Sequence, residues 1–140
     1  HGVEKEKLAA RKKELFSRFG IDRFAQVKVE DLSTGMKQKI SLVVSIVHDP
    51  DVVIFDEPTN GLDVLTAKVV TDFLTELKEM GKSVILSTHI FSLVEKLCDR
   101  VGIVIDGGMV RDGTLEEVCE GRTLEEKFFE VYRAVKGEEI

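Results

Sequence analysis

The chain has 140 residues, enough for about one domain, and its hydrophobic (43%) and charged (33%) fractions are those of an ordinary soluble protein. A net charge of −6, with basic residues scattered apart from one cluster in residues 5–13, predicts no general affinity for nucleic acid. Cys98 and Cys119 lack metal-ligand spacing, so buried thiols of a reducing compartment are expected rather than a disulfide. Apolar runs fall short of the ~20 residues that span a bilayer, and no signal-peptide pattern opens the chain, which predicts a cytoplasmic domain.

The first third of the chain predicts two helices, over residues 4–19 and 34–48, with an irregular connection at 21–31 between them. The first helix carries a loose apolar stripe, namely Leu8, Leu15, Phe16 and Phe19. The second has apolar residues at i, i+3, i+4 and i+7, namely Ile40, Val43, Val44 and Val47. Pro50 ends it, because proline disfavours helical geometry in the residue before it.

Three apolar, β-branched runs, at residues 52–55, 83–86 and 101–105, suit strands buried on both faces of a parallel sheet. A helix at 64–80, capped by Asp63, lies between the first two runs and carries an apolar residue at every fourth position. Those positions are Leu65, Val69, Phe73 and Leu77. Strand, helix and strand in this order predict a right-handed crossover and an α/β fold.

After the third run, a tight turn at residues 106–108 leads into residues 109–111, which predicts an antiparallel hairpin. The last two helices each begin with Thr-Leu-Glu-Glu, at 114–117 and 123–126. Threonine at the cap with glutamate three residues later is a capping box, so the repeat reflects capping chemistry rather than duplication.

Candidate functional residues follow the first two strands. Asp56 and Glu57 come where a buried strand ends, at the sheet edge where open α/β sheets bind ligands. One carboxylate can hold magnesium and the other can orient a water that attacks phosphate, although two solvated acids remain the alternative. His89 follows the second strand and is expected at the same edge, where it can contact a phosphate oxygen or else be an ordinary surface residue.

The start of the second helix is a candidate phosphate site. Ser33 and Gly35 precede an apolar run, and free N–H groups and the helix dipole favour an anion there. A plain serine cap is the alternative. Residues 60–63 are explained by a turn and a helix cap, and residues 81–83 do not form a G-x-x-x-x-G-K-[ST] loop, because Glu76 stands where the first glycine is required.

In their order and spacing, residues 32–36, 53–58 and 61–63 together with His89 resemble the nucleotide-binding domain of ATP-binding cassette (ABC) proteins. The resemblance spans roughly residues 4–120. The closing segment looks like the C-terminal helix common in ATPase subunits of drug, sodium and polysaccharide exporters. The residues on its apolar face are Leu124, Phe128, Val131, Tyr132 and Val135.

The resemblance implies a role for each matched residue. Asp56 looks like the Walker B aspartate on the Mg²⁺ side, Glu57 like the catalytic glutamate, and His89 like the switch histidine. The nucleotide-binding residues would be Ser33, Thr34, Gly35 and Met36 of the family signature, with Asp63 of the D-loop. The usual signature is Leu-Ser-Gly-Gly-Gln; the variant here resembles the exporter branch that includes sodium-extrusion and drug-efflux members.

The family pattern also places a Walker A loop and a Q-loop about a hundred residues upstream of these motifs, and neither is present in the 140 residues. We therefore expect the C-terminal part of such a domain, which alone neither binds ATP tightly nor hydrolyses it. Two nucleotide-binding domains of the family pair head to tail, so the signature would grip ATP held mainly by a second domain. ATP, Mg²⁺ and an integral membrane permease are the other implied partners, and the place implied is the inner face of the cell membrane.

The expected fold is therefore α/β, a partial P-loop NTPase-like (ABC ATPase) parallel sheet with flanking helices plus part of the helical subdomain. Residues 1–48 would belong to that subdomain with the signature helix, 49–121 to the RecA-like core, and 122–140 to the C-terminal helix. Two other hypotheses are a soluble ABC ATPase of DNA repair or ribosomes, and a non-catalytic module that binds a partner through residues 4–31.

Overall fold

The computed structural model describes residues 2–137, which form two units with a boundary between Ser87 and Thr88. The first unit contains helix α1 (Lys5–Arg18), two short 3₁₀ turns (Ile21–Phe24 and Val29–Asp31), α2 (Thr34–Ile46), β1 (Val52–Asp56), α3 (Val64–Glu79) and β2 (Ser83–Ser87). The second contains α4 (Phe91–Leu97), β3 (Arg100–Ile105), β4 (Gly108–Thr114), α5 (Leu115–Cys119) and α6 (Leu124–Lys136).

The first unit is organised by a parallel pair of strands. β1 and β2 run in register from Val52 opposite Ser83 to Asp56 opposite Ser87, and α3 connects them. The predicted strand, helix and strand are confirmed. This pairing places the last residue of each strand at one edge of the sheet.

The prediction that these strands are buried on both faces is wrong. Val53 and Phe55 of β1 are buried, whereas Ile54 between them is 71% exposed. Side chains alternate along a strand, so the two sets lie on opposite faces. An apolar run shows that both faces of a strand carry apolar side chains. It does not show whether another helix or strand packs against each face.

The predicted apolar faces of the helices are wrong at one position in each of four helices. Leu8 of α1 is 36% exposed and Val135 of α6 is 47% exposed. α2 buries Leu42, Val43 and Ile46, whereas Val44 is 63% exposed and the helix ends two residues earlier than predicted. In α3, Leu65 is 80% exposed although Leu77 is buried. Positions four apart drift by about 40° around a helix at each step, so three steps carry Leu65 about a third of a turn away from Leu77.

An aromatic and charged contact joins α1 to α3. The rings of Phe19 and Phe73 meet edge to face at 5.6 Å, and the Arg18 guanidinium lies 4.9 Å from the Phe73 ring centroid. Arg18 also donates two hydrogen bonds to the Glu76 carboxylate, at 2.5 and 2.6 Å. The pair raises the pKa of Arg18 and lowers that of Glu76, each mainly through these hydrogen bonds.

The second unit is built on the β3–β4 hairpin. The hairpin prediction is confirmed, with Asp106 and Gly107 of the turn at φ 51° and 77°. The prediction that residues 101–105 form a parallel-sheet strand buried on both faces is wrong. The strand pairs antiparallel with β4, and its burial alternates, with Ile103 and Ile105 inside.

Helices close the second unit around that hairpin. Both capping boxes are confirmed, at Thr114 for α5 and Thr123 for α6, whereas α4 was not predicted. Within residues 2–137 no helix is long and apolar enough to cross a membrane. Both cysteines are free thiols; Cys119 is buried as predicted, and Cys98 is only partly so.

Candidate functional site

The edge where β1 and β2 end carries the first candidate group. Asp56 is exposed and lies opposite Ser87, whose hydroxyl donates a hydrogen bond to the Asp56 carboxylate. The parallel register produces this pairing, because it brings the final residues of both strands side by side. The Asp56 carboxylate is thus oriented by a hydroxyl group on the neighbouring strand.

Glu57 follows directly and has an unusual backbone. Its φ is +46°, in the left-handed region that residues other than glycine seldom occupy and that costs about 1–2 kcal/mol. The Glu57 N–H donates to the carbonyl of Ser87 at 2.9 Å, and the Glu57 carbonyl accepts from the N–H of Asn60 at 3.0 Å. These two bonds hold a strained carboxylate-bearing residue at the end of a regular strand.

The start of α2 forms the second part of the candidate site. Ser33 is the N-cap, and its hydroxyl accepts a hydrogen bond from the Met36 N–H at 3.3 Å. The serine cap is therefore present in the structure. Lys37 in the first turn adds positive charge, and the turn contains no acidic residue. A phosphate at this helix start stays a prediction.

Close backbone contacts bring the start of α2 against the loop that follows Glu57. A methyl group at Gly35 would lie 3.3 Å from the carbonyl oxygen of Gly61, so a larger residue there would require that carbonyl to shift by a few tenths of an ångström. Gly61 itself has φ +72°, and a methyl group there would lie 3.5 Å from the side-chain methyl of Thr34. The structure thus unites two motifs that lie some 25 residues apart in the sequence.

A further contact in the same place was missed by sequence reasoning. The amide nitrogen of Gln38 lies 3.5 Å from the carbonyl oxygen of Glu57. Gln38 stands three residues after Gly35, on the same side of α2. No local pattern distinguishes this glutamine from a surface residue.

Asp63 caps α3, as predicted. Its carboxylate accepts from the Thr66 N–H at 3.0 Å and from the Thr66 hydroxyl at 2.7 Å. These hydrogen bonds, the hydroxyl one first, hold the pKa of Asp63 below its ordinary value. Capping α3 is sufficient to account for an aspartate at position 63. Its contact with nucleotide stays a prediction.

His89 comes two residues after the end of β2 and is exposed, in the second of the two units. Its expected position beside Asp56 and Glu57 stays a prediction.

The donor set at the sheet edge is compatible with magnesium. Within residues 2–137 no group of three or more His, Cys, Asp or Glu side chains is placed to enclose a metal ion. Mg²⁺ commonly takes one or two carboxylates and completes its shell with water and substrate phosphates. The exposed Asp56 carboxylate offers an oxygen of this kind.

The fold and this edge define a class of protein, the ABC ATPase domains. One solved structure, described as the ATP binding subunit of an ABC transporter, matches with a TM-score of 0.87 and 30% identity over 94% of this chain and 57% of that one. A dimeric, post-hydrolysis ATP-binding cassette bound to ADP and Pi matches with a TM-score of 0.70 and 25% identity, over 82% and 50% of the two chains.

Sequence comparison also finds ABC transporter ATP-binding proteins. The uncharacterized ABC transporter ATP-binding protein MJ1023 of Methanocaldococcus jannaschii is 42% identical over 84% of this chain and 45% of its own length. NatA of Bacillus subtilis, an ABC transporter ATP-binding protein, is 34% identical over 90% of this chain and 51% of its own length. The linearmycin resistance ATP-binding protein LnrL of the same organism is 35% identical over 85% and 37%.

A family model described as "AAA domain, putative AbiEii toxin, Type IV TA system" matches residues 7–95. The chain belongs to this family of ATPase domains, and its homologues are ABC transporter ATP-binding proteins, exporter types among them. The predicted resemblance to ABC nucleotide-binding domains and the predicted α/β fold are confirmed. The chain spans about half the length of the curated relatives it matches, 45% of one and 51% of another.

Proposed function

We propose that this chain is the C-terminal portion of the ATP-binding and ATP-hydrolysing subunit of an ABC exporter, which couples hydrolysis to transport through an integral membrane permease. The observation that carries the proposal is the end of β1, where Asp56 and the strained Glu57 lie against β2 and the start of α2 rests on the loop that follows them. Relatives with export or resistance in their names support the exporter branch.

In the proposed mechanism the carboxylates have separate tasks. Glu57 accepts a hydrogen bond from the attacking water and polarises it toward the γ-phosphate. Asp56, oriented by the Ser87 hydroxyl, would hold Mg²⁺ through water. The ion, when bound, neutralises charge that develops on the phosphate oxygens. His89 would donate a hydrogen bond to the γ-phosphate.

The signature would serve a second nucleotide. Ser33, Thr34, Gly35 and Met36 open α2, whose free N–H groups and dipole favour phosphate, and Asp63 would lie at the same subunit boundary. Met36 has no polar group to offer, so the contact depends on the Ser33 hydroxyl and the backbone. The partner is a second nucleotide-binding domain, and the assembly would lie at the cytoplasmic face of the membrane.

The proposed division assigns residues 1–48 to the helical subdomain, 49–121 to the RecA-like core and 122–140 to the C-terminal helix. The 140 residues contain no G-x-x-x-x-G-K-[ST] loop, so the isolated chain would lack most of the charge-assisted contacts to ATP. Calorimetry should show no micromolar ATP binding to it.

The test of the catalytic assignment uses the full-length subunit reconstituted with its permease. We expect Glu57→Gln to lower kcat by about 10²–10⁴-fold while ATP still binds, because the glutamine keeps the size of the side chain but cannot act as a base. Glu79→Gln, at the exposed end of α3, is the matched control and should retain the full rate. Wild-type hydrolysis by the Glu57→Gln variant would refute the assignment.

A further inference from the structure

We propose that Gln38 is a positioning residue for Glu57: its side-chain amide holds the Glu57 carbonyl and thereby fixes the direction of the Glu57 carboxylate. This inference rests on the proposed function, because it concerns the residue assigned to activate water. Gln38 itself touches neither substrate nor reacting atoms in this assignment.

The hydrogen bond has a defined polarity. The Gln38 amide nitrogen lies 3.5 Å from the Glu57 carbonyl oxygen, and a carbonyl can only accept, so the NH₂ group donates. Gln38 is half-buried, in the second turn of α2. Its side chain therefore bridges α2 and the end of β1.

The Glu57 backbone is a conformation that requires support. At φ +46° it is strained, and such a backbone persists only where the surrounding contacts hold it. The Glu57 N–H donates to the Ser87 carbonyl at 2.9 Å, and the Glu57 carbonyl accepts from the Asn60 N–H at 3.0 Å. Gln38 adds a second donor to that carbonyl, from an element outside the strand and its own turn.

The start of α2 lies close to the same region. Gly35 packs against the carbonyl of Gly61, and Thr34 lies beside the Gly61 backbone, so the first turn of α2 is in contact with the loop after Glu57. Gln38 follows Gly35 by three residues and so projects from the same side of the helix. The Gly35 contact brings α2 close to the loop after Glu57, and at that separation the Gln38 side chain reaches the Glu57 carbonyl.

The experiment measures steady-state ATP hydrolysis by the full-length subunit, reconstituted with its permease, as wild type and as three separate variants, Gln38→Met, Gln38→Lys and Gln26→Met. Methionine is unbranched, helix-compatible and of similar size but has no donor, whereas lysine keeps a donor on a flexible stem. Gln26, the other glutamine of the chain, is exposed in the connection between α1 and α2 and serves as the matched control.

We expect Gln38→Met to lower kcat by about tenfold with KM for ATP unchanged, because one positioning hydrogen bond is lost and no ATP contact is. Gln38→Lys should recover at least half of the wild-type kcat, and Gln26→Met should match wild type. Equal loss in the methionine and lysine variants, or a rise in KM with kcat unchanged, would overturn the proposal. An inactive wild-type subunit would instead refute the proposed function, and this inference with it.

Discussion

Substitutions of Ser33 can separate its role as the N-cap of α2 from its proposed role as a phosphate contact. The Ser33 hydroxyl accepts from the Met36 N–H, so Ser33→Ala removes the cap of α2. Ser33→Asp keeps an N-cap acceptor and places a negative charge at the positive end of the helix dipole. The two variants should therefore rank in opposite order for stability and for ATP hydrolysis.

The magnitudes follow from the geometry. The cap bond is 3.3 Å long and exposed, so Ser33→Ala should cost about 0.5–1 kcal/mol, the lower half of the usual range. Ser33→Asp should be neutral or stabilising by up to about 1 kcal/mol. If Ser33 faces a γ-phosphate, the new carboxylate would repel it by about 1–4 kcal/mol at a 4 Å separation, a loss of at least about fivefold in apparent ATP affinity.

Urea denaturation of the 140-residue chain, followed by circular dichroism, measures the stability of each variant. ATP hydrolysis by the full-length subunit measures function. Ser41→Asp, on the exposed side of the same helix but two turns from its start, controls for added charge and should leave both nearly unchanged. A Ser33→Asp subunit whose KM for ATP equals that of wild type would show that no phosphate reaches the start of α2.

Two further predictions concern the first unit. A double-mutant cycle of Arg18→Met and Glu76→Gln should give a coupling of about 1 kcal/mol that falls in 1 M NaCl, because their contact is partly solvated; a salt-independent coupling would contradict an ionic origin. Hydrogen bonds from Thr66 lower the folded-state pKa of Asp63, so its contribution to stability is present above the unfolded pKa and is lost as pH falls through the folded one. The urea midpoint of wild type minus that of Asp63→Asn should shrink between about pH 5 and pH 2, and a constant difference would be evidence against the cap bond.

Features set by neighbouring residues were predictable from the sequence. Asp63, Thr114 and Thr123 cap their helices as predicted, because a cap involves only the next three residues. The connection of β1 to β2 through a helix was equally predictable, because the composition of the strands and the length of the intervening helix are compatible with few topologies. The ends of β1 and β2 therefore lie at one edge, as the sequence predicted, and the roles of the residues that follow them stay predictions.

Features that depend on distant residues were not predictable. Whether Ile54 is covered depends on an element that the strand itself does not encode. Lys127 is only 2% exposed, paired with Glu120 at 2.7 Å and Glu130 at 3.0 Å, although its sequence neighbourhood is that of a surface helix. The contact of Gln38 with Glu57 likewise joins residues 19 positions apart, in a place where Gly35 also lies close to the Gly61 backbone.

The charges at the helix starts distinguish α2 from the other capped helices. α2 and α3 begin with almost the same backbone, φ −64° and ψ 162° at Ser33 against φ −66° and ψ 161° at Asp63. At α3 the cap carboxylate neutralises the positive end of the dipole, and α5 and α6 have two glutamates each in their first turns.

Among the side-chain-capped helices in residues 2–137, α2 alone has no carboxylate at its cap or in its first turn. Apart from the Met36 N–H, which donates to the Ser33 hydroxyl, the positive end of its dipole is therefore offset by no carboxylate in its cap or first turn, and Lys37 adds positive charge. Aspartate at position 33 would give α2 the internal compensation that Asp63 gives α3. The stability gained by that substitution and the phosphate affinity lost by it would then have one electrostatic cause.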